Sequence, residues 1–144
     1  GYDRLGRILQ EEIGVDLVFH PHADTHVDTQ ERVERFLSDT DPTLVNLCLD
    51  TGHISYCGGN NIEIIERFPE RITYVHLKQV SPEVRERVRQ EKLSLAEAVP
   101  LGVMCARAAW DPDWPSPATS WRRITAVCRR RRDSMQKNGC ARAH

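Results

Sequence analysis

Apolar residues near the start of the chain recur at helical spacing. Leu5, Ile8, Leu9 and Ile13 fall on one face of a helix, and Gly14 follows them directly. Glycine is common just beyond the last turn of a helix because it adopts a left-handed backbone without strain. The pattern therefore predicts an amphipathic helix that ends at Gly14.

Three short apolar runs follow at intervals of about 28 residues, over residues 15–20, 44–49 and 72–77. Each run is too short for a buried helix and ends in polar residues, a pattern typical of buried parallel strands. We therefore predict three strands. The third run is followed by a fourth apolar segment near Val103, where a further strand-helix unit would begin.

Helix signals separate these strands. Three polar residues can each cap the start of a helix: Asp28, Ser81 and Ser94. Each is followed by a residue that favours the first helical turn, namely Glu31, Pro82 and Glu97. Ile62, Ile65 and Phe68 give another helical stripe after a glycine-containing loop. Strands that alternate with helices predict parallel βαβ units with right-handed crossovers, and the fold class is α/β.

Charge divides the chain into two unlike parts. Its 144 residues have a formal net charge of −1, but residues 1–105 carry −7 and residues 106–144 carry +6. The second part is rich in arginine, proline and tryptophan and lacks the periodicity of the first. We place a boundary at residue 105 and interpret residues 106–144 as an atypical tail, either translated out of frame or disordered.

Composition also bears on where the protein is located in the cell. No stretch approaches the roughly 18 consecutive apolar residues of a membrane span, and residues 1–20 carry charges where a secretion signal has an apolar segment. The expectation is a cytoplasmic protein without membrane contact. The cysteines, which form no CxxC pair, are predicted to be reduced thiols: Cys48, Cys57, Cys105, Cys128 and Cys140.

Residues that bind metals or transfer protons follow each predicted strand. They are His20 and His22 after the first, Asp50 and His53 after the second, and His76 and Lys78 after the third. Because the carboxyl ends of parallel strands lie at one face, we expect these side chains to converge. Their nitrogen and oxygen donors suit a divalent ion such as Mn²⁺, Co²⁺, Zn²⁺ or Mg²⁺.

Such an ion would polarise an oxygen of a polyol substrate while a carboxylate or imidazole abstracts the neighbouring proton. Lys78 could stabilise the developing enediolate charge. Simpler roles stay open for single residues: Asp50 could cap the loop after its strand, and Lys78 could be a solvated charge. His26 is expected to be solvated and Cys48 to lie in the core. The coincidence across three successive strands favours the metal site.

At these residues the chain resembles the sugar phosphate isomerase/epimerase superfamily of xylose isomerase-like barrels, most closely its inosose dehydratase branch. The matching segments are residues 19–29, the Leu-Cys-Leu-Asp-Thr-Gly-His element at 47–53, the Tyr-Val-His-Leu-Lys element at 74–78, and residues 94–103. The resemblance spans about residues 5–105. It implies an eight-stranded (β/α) barrel, of which residues 1–105 would form part of the carboxyl-terminal half.

The resemblance also implies roles for individual residues. Asp50 and His76 would be metal ligands, and His20 lies where many relatives place a ligating Glu, so it is the third candidate ligand. His53 would contact substrate. His22 is a second candidate for substrate binding, and His53 and Lys78 are the candidate catalytic residues. The substrate would be a sugar or cyclitol that the enzyme isomerises, epimerises or dehydrates.

Two departures from the family lead us to expect little activity from this chain alone. The amino-terminal half of the barrel and a later metal-ligand Glu have no counterpart in the sequence. One alternative is a non-catalytic half-barrel that forms a homodimer through its open edges. A second, less favoured because the body of the chain is acidic, is nucleic-acid binding through the basic tail and its tryptophans.

Overall fold

The computed structural model describes residues 1–105, and the predicted tail at 106–144 lies outside them. The strands β1 (Leu17–Phe19), β2 (Val45–Asp50) and β3 (Ile72–His76) form a parallel sheet in the order β1-β2-β3. The predicted α/β class and the three parallel strands are therefore confirmed. The sheet places the carboxyl ends of the three strands side by side.

The prediction that all three strands are buried is correct only for the central one. Every residue of β2 is buried, whereas Val18 in β1 is 36% exposed and Tyr74 in β3 is 60% exposed. Residues of β1 and β3 are more exposed because these are the outer strands of the described sheet, where each pairs with β2 alone.

The register between β2 and β3 contains a bulge. Leu47 pairs with Ile72, but the next residue, Cys48, pairs with Tyr74. Thr73 is therefore an additional residue on β3. Beyond the bulge, Asp50 is the register partner of His76.

The first two helices precede and follow β1 along the chain. α1 (Tyr2–Ile8) continues into a π-helical turn (Leu9–Ile13), and Gly14 ends it in the left-handed conformation at φ 75°, as predicted. α2 (Gln30–Asp39) is capped by Thr29, whose side chain accepts from the Arg32 N–H. Asp28 was the predicted cap, but its carboxylate instead pairs with the Arg32 guanidinium at 2.8 Å.

A helix replaces the loop that the sequence predicted directly after β2. α3 (Thr51–Tyr56) begins at once because Asp50 Oδ1 accepts hydrogen bonds from the Gly52 and His53 N–H groups. A carboxylate at this position satisfies amides that the first helical turn leaves unpaired. The predicted helix with the Ile62 stripe follows as α4 (Asn61–Arg67).

The last elements depart from a repeating barrel pattern. α5 (Pro82–Glu91) and α6 (Leu95–Ala98) are capped by Ser81 and Ser94 as predicted, the second with a complete capping box. The predicted fourth strand is β5 (Met104–Cys105), which pairs antiparallel with β4 (Gln79–Val80) and does not extend the parallel sheet. The physical reason is that the Ser81 N–H donates to the Val103 carbonyl and directs the returning chain against β4.

Two groups of buried side chains support this arrangement. The first comprises the buried Leu47 and Leu49 of β2, Val33 and Leu37 of α2 and Ile64 of α4. A smaller cluster joins the two last helices to the loop after β1: Ala23, Val88, Leu95, Ala98 and Val103. Within the described residues, every helix is too short or too polar to cross a bilayer. The cytoplasmic location stays a prediction.

Candidate metal centre

The predicted site residues meet at one carboxylate oxygen, Oδ2 of Asp50. Lys78 Nζ lies 2.7 Å from it, His20 Nε2 3.2 Å, His76 Nδ1 3.3 Å and His53 Nε2 3.8 Å. These nitrogens come from the ends of β1 and β3, from the segment after β3, and from α3. The sequence prediction that three strand ends bring their polar side chains together therefore agrees with the geometry.

The two carboxylate oxygens of Asp50 have different partners. Oδ1 caps α3, with hydrogen bonds of 3.0 Å from the Gly52 N–H and 3.2 Å from the His53 N–H. Oδ2 faces the cluster of nitrogens. Capping was the simpler role considered for Asp50, and the residue performs it while leaving one oxygen directed at its neighbours.

The Asp50 side chain is fully buried, and its charge depends on its partners. Burial raises the pKa of the Asp50 carboxyl, but hydrogen bonds from Lys78 and from the His53 N–H lower it by more, so the net direction is downward. Asp50 is therefore a carboxylate at neutral pH. Hard and borderline divalent ions bind well to an ionised carboxylate oxygen, which donates a lone pair to the ion.

His53 is held neutral. It is 4% exposed, and burial lowers the pKa of its imidazole to about 4 in spite of the opposing attraction of Asp50. Its Nδ1 lies 3.4 Å from the Ala23 N–H, and its Nε2 lies 3.3 Å from Lys78 Nζ. A neutral imidazole accepts at only one of its two nitrogens, so the tautomer of His53 decides which of these two donors forms a hydrogen bond with it.

The backbone around Lys78 is fixed by Thr51, a residue that the sequence analysis did not single out. Thr51 Oγ1 accepts from the Lys78 N–H at 3.0 Å and donates to the Lys78 carbonyl at 2.8 Å. The only available signal was that a hydroxyl follows Asp50 directly. The side chain of Lys78 is 40% exposed, yet it forms an ion pair with Asp50 and is not merely solvated.

The remaining histidines differ in their relation to the cluster. The exposed His22 lies beside it, with its ring centroid 3.7 Å from that of His53 and its Nδ1 2.9 Å from the Ala23 carbonyl. His26 is exposed on the same loop. The exposure of His26 agrees with the expectation of a solvated side chain, and the substrate contact of His22 stays a prediction.

Two sets of side chains in the described residues could hold a metal ion. One is His20, Asp50 and His53, and the other is His20, Cys48 and His76; in each, one ligand atom per residue lies within 4.8 Å of the others. Cys48 was expected in the core and is buried, but sequence reasoning missed its proximity to the histidines. The available signal was its position two residues before Asp50, on the same face of β2.

The donor set fits a divalent ion. Imidazole and carboxylate donors suit Mn²⁺, Co²⁺ and Zn²⁺, and the burial of Asp50 shields the charge from water. Burial and the nearby Asp50 raise the pKa of the Cys48 thiol, so in this structure it is protonated. Cys48 and Cys57 are both free, in agreement with the prediction of reduced thiols for these two residues.

Comparisons with known proteins identify the family of the chain. The family model described as "Xylose isomerase-like TIM barrel" matches residues 2–125. An inosose dehydratase of Geobacillus kaustophilus is 46% identical over 103 residues, which cover 72% of this chain and 33% of that protein. An inosose dehydratase of Clostridium botulinum is 40% identical over 102 residues, which cover 71% of this chain and 34% of that protein.

An inosose dehydratase of Clostridium tetani is 36% identical over 114 residues, covering 79% of this chain. The matched segments span only about a third of the length of these curated relatives. The likeness extends over most of the present chain and includes the strand ends that form the cluster. The chain belongs to the xylose isomerase-like TIM barrel family.

Proposed function

We propose that this chain provides part of the active site of a divalent-metal-dependent dehydratase or isomerase that acts on a cyclitol or sugar. The observation that carries the proposal is the convergence of four side-chain nitrogens on Asp50 Oδ2. The name inosose dehydratase, which the relatives share, supports the choice of a cyclitol as substrate.

We assign three of the residues to the metal: Asp50, His76 and His20. A divalent ion bound there would polarise a carbonyl or hydroxyl oxygen of the substrate. His53 would accept a proton at Nε2, because burial keeps its imidazole neutral. Lys78 would donate from Nζ to the oxygen on which negative charge develops. His22, exposed beside His53, would contact a hydroxyl of the substrate.

We also propose that the isolated chain has little or no turnover. Active sites of (β/α)₈ barrels draw residues from the ends of many strands, and the described parallel sheet has three. Among the described residues, substrate groups on the far side of the ion would then have no partner. A polypeptide that adds further barrel strands would raise turnover.

Metal binding is the direct test. The full chain, stripped with a chelator, is titrated with Mn²⁺ and Co²⁺ in a calorimeter, with Zn²⁺ and Mg²⁺ for comparison. Asp50→Asn and His76→Ala are the test variants. Asn preserves the helix cap, because its side-chain oxygen can still accept from the amides of α3.

We expect saturable binding by the wild-type chain and a loss of at least about tenfold in affinity in both variants. His26→Ala is the matched control, since it removes an exposed imidazole on the loop after β1. Circular dichroism must show equal folding of all proteins. Equal affinity of the wild type, Asp50→Asn and His76→Ala would refute the proposed ligand set.

The open sheet supports one further candidate function, association with a second copy of the chain. In the described sheet β1 and β3 each pair with β2 alone, and Val18, Tyr74 and Leu77 are 36%, 60% and 49% exposed. Exposed apolar groups beside an outer strand favour strand pairing between molecules. The nucleic-acid alternative depends on the tail, which lies outside the described residues.

Light scattering coupled to gel filtration tests the association. We expect a dimer that Tyr74→Lys dissociates, since a charge on an outer strand discourages pairing. Leu101→Lys places the same charge at another exposed apolar residue, outside the sheet, and should leave the dimer intact. A monomeric wild-type chain would contradict the proposal.

A further inference from the structure

We infer that the ammonium of Lys78 occupies the position a divalent ion would take, so that Lys78 competes with metal for Asp50 and sets the affinity of the site. The inference rests on the proposed metal site and adds a role for Lys78 that precedes any contact with substrate. Nζ is the nitrogen closest to Asp50 Oδ2, at 2.7 Å, and the three imidazole nitrogens surround the same oxygen at 3.2 to 3.8 Å.

The ammonium contacts the oxygen on which the proposed metal ligands converge. Lys78 Nζ lies 2.7 Å from Asp50 Oδ2, and His20 Nε2 and His76 Nδ1 lie 3.2 and 3.3 Å from the same oxygen. A metal ion held by these three residues would draw on the lone pairs of Oδ2, which the hydrogen bond from Nζ also uses. Metal and ammonium would therefore compete at this oxygen, and repulsion between their like charges would oppose binding of both.

The surroundings of Lys78 allow the ammonium to leave while the backbone stays in place. The Thr51 hydroxyl holds the main chain of Lys78, because it donates to the Lys78 carbonyl and accepts from the Lys78 N–H. Its side chain is 40% exposed, so a rotation about its flexible stem can carry Nζ into water. Displacement by a metal then requires a rotamer change only.

Calorimetric titration of the chelator-stripped full chain with Mn²⁺ tests the competition. Lys78→Met removes the ammonium and keeps a stem of similar length, and Lys78→Ala is a second variant in case the methionine packs poorly. We expect Mn²⁺ to bind both variants at least about tenfold more tightly than the wild type, since a charged hydrogen bond no longer has to be broken. Lys92→Met, which removes an exposed lysine at the carboxyl end of α5, should leave the affinity unchanged.

A second measurement follows Lys78 itself in the wild-type chain. Acetylation by acetic anhydride, quantified by mass spectrometry, reports how accessible each lysine amine is. We expect saturating Mn²⁺ to increase the acetylation rate of Lys78 several-fold and to leave that of Lys92, the internal reference, unchanged.

The outcomes separate the inference from the proposed function. Binding of Mn²⁺ with equal or lower affinity in both Lys78 variants, or with no change in acetylation of Lys78, would overturn the competition while the metal site stands. Absence of Mn²⁺ binding in the wild type and in both variants would overturn the metal site and the competition together.

Discussion

Gly52 packs directly against Lys78. A Cβ atom at residue 52 would lie 2.6 Å from the Lys78 Cβ, closer than real side chains approach, and 3.3 Å from Asp50 Oδ1. The absence of a side chain in the first turn of α3 is therefore what lets the segment after β3 come close enough for its lysine to reach Asp50.

Gly52→Ala should disturb this contact. We expect a loss of about 1 to 3 kcal/mol in the free energy of unfolding, since the added methyl group forces the Lys78 backbone or α3 to move. Urea denaturation measures the loss. Gly1→Ala is the matched control, because nothing lies within 4 Å of the added carbon there. Equal stability of the two variants would show that the segment moves freely.

The buried neutral His53 predicts a loss of stability in acid. Its pKa is about 4 in the folded chain against 6.5 for a free imidazole, so the unfolded chain binds the proton more tightly. The free energy of unfolding is therefore highest above pH 6.5, and it falls by about 3 kcal/mol as the pH approaches 4. The lowered pKa of Asp50 adds a further loss below the ordinary aspartate pKa of 3.8, where the unfolded chain binds a proton more readily than the folded chain.

Urea denaturation between pH 4 and 7, with a chelator present, measures this loss. His53→Gln should flatten the decline between pH 6.5 and 4, because the group that takes up the proton is gone. The exposed His26→Gln should keep the wild-type slope. An unchanged slope in His53→Gln would mean that His53 does not control this transition.

Arg71 is expected to be a major structural side chain. It is 5% exposed, and its guanidinium donates to the Val45 and Leu37 carbonyls and to Thr40 Oγ1. Arg71→Met leaves these acceptors unpaired and should cost about 2 to 4 kcal/mol in thermal or urea unfolding. Arg87→Met on the surface of α5 should have little effect, and a similar loss in both variants would contradict this role.

Asp24 connects the loop after β1 to α6. Its backbone is in the left-handed region at φ 62°, and its Oδ2 accepts from the Leu95 N–H at 2.6 Å. Asp24→Ala should lower the free energy of unfolding by about 2 kcal/mol, because alanine cannot accept this hydrogen bond and tolerates the positive φ poorly. Asp24→Asn retains both properties and should cost less than half as much in thermal denaturation. Equal losses would show that the charge alone matters.

The convergence at Asp50 could be predicted from the sequence because it follows from strand order alone. Parallel strands end at one edge, so polar residues that close the first three apolar runs must approach one another. The helix directly after Asp50 was missed because Thr51 and Gly52 have low helix propensity. The cap on Asp50 overrides that preference. The pairing of Met104 with Val80 depends on a return of the chain that no local pattern reveals.

The bulge at Thr73 decides which residue of β3 lies opposite Asp50. If Thr73 instead paired with Cys48 in a regular ladder, Val75 would lie opposite Asp50 and the His76 imidazole would turn to the other face of the sheet. Because the register gives the exposed Thr73 no partner on β2, its replacement, or even its removal, would leave Asp50 paired with His76. At this strand the site therefore depends on the pairing register and tolerates changes at the extra residue itself.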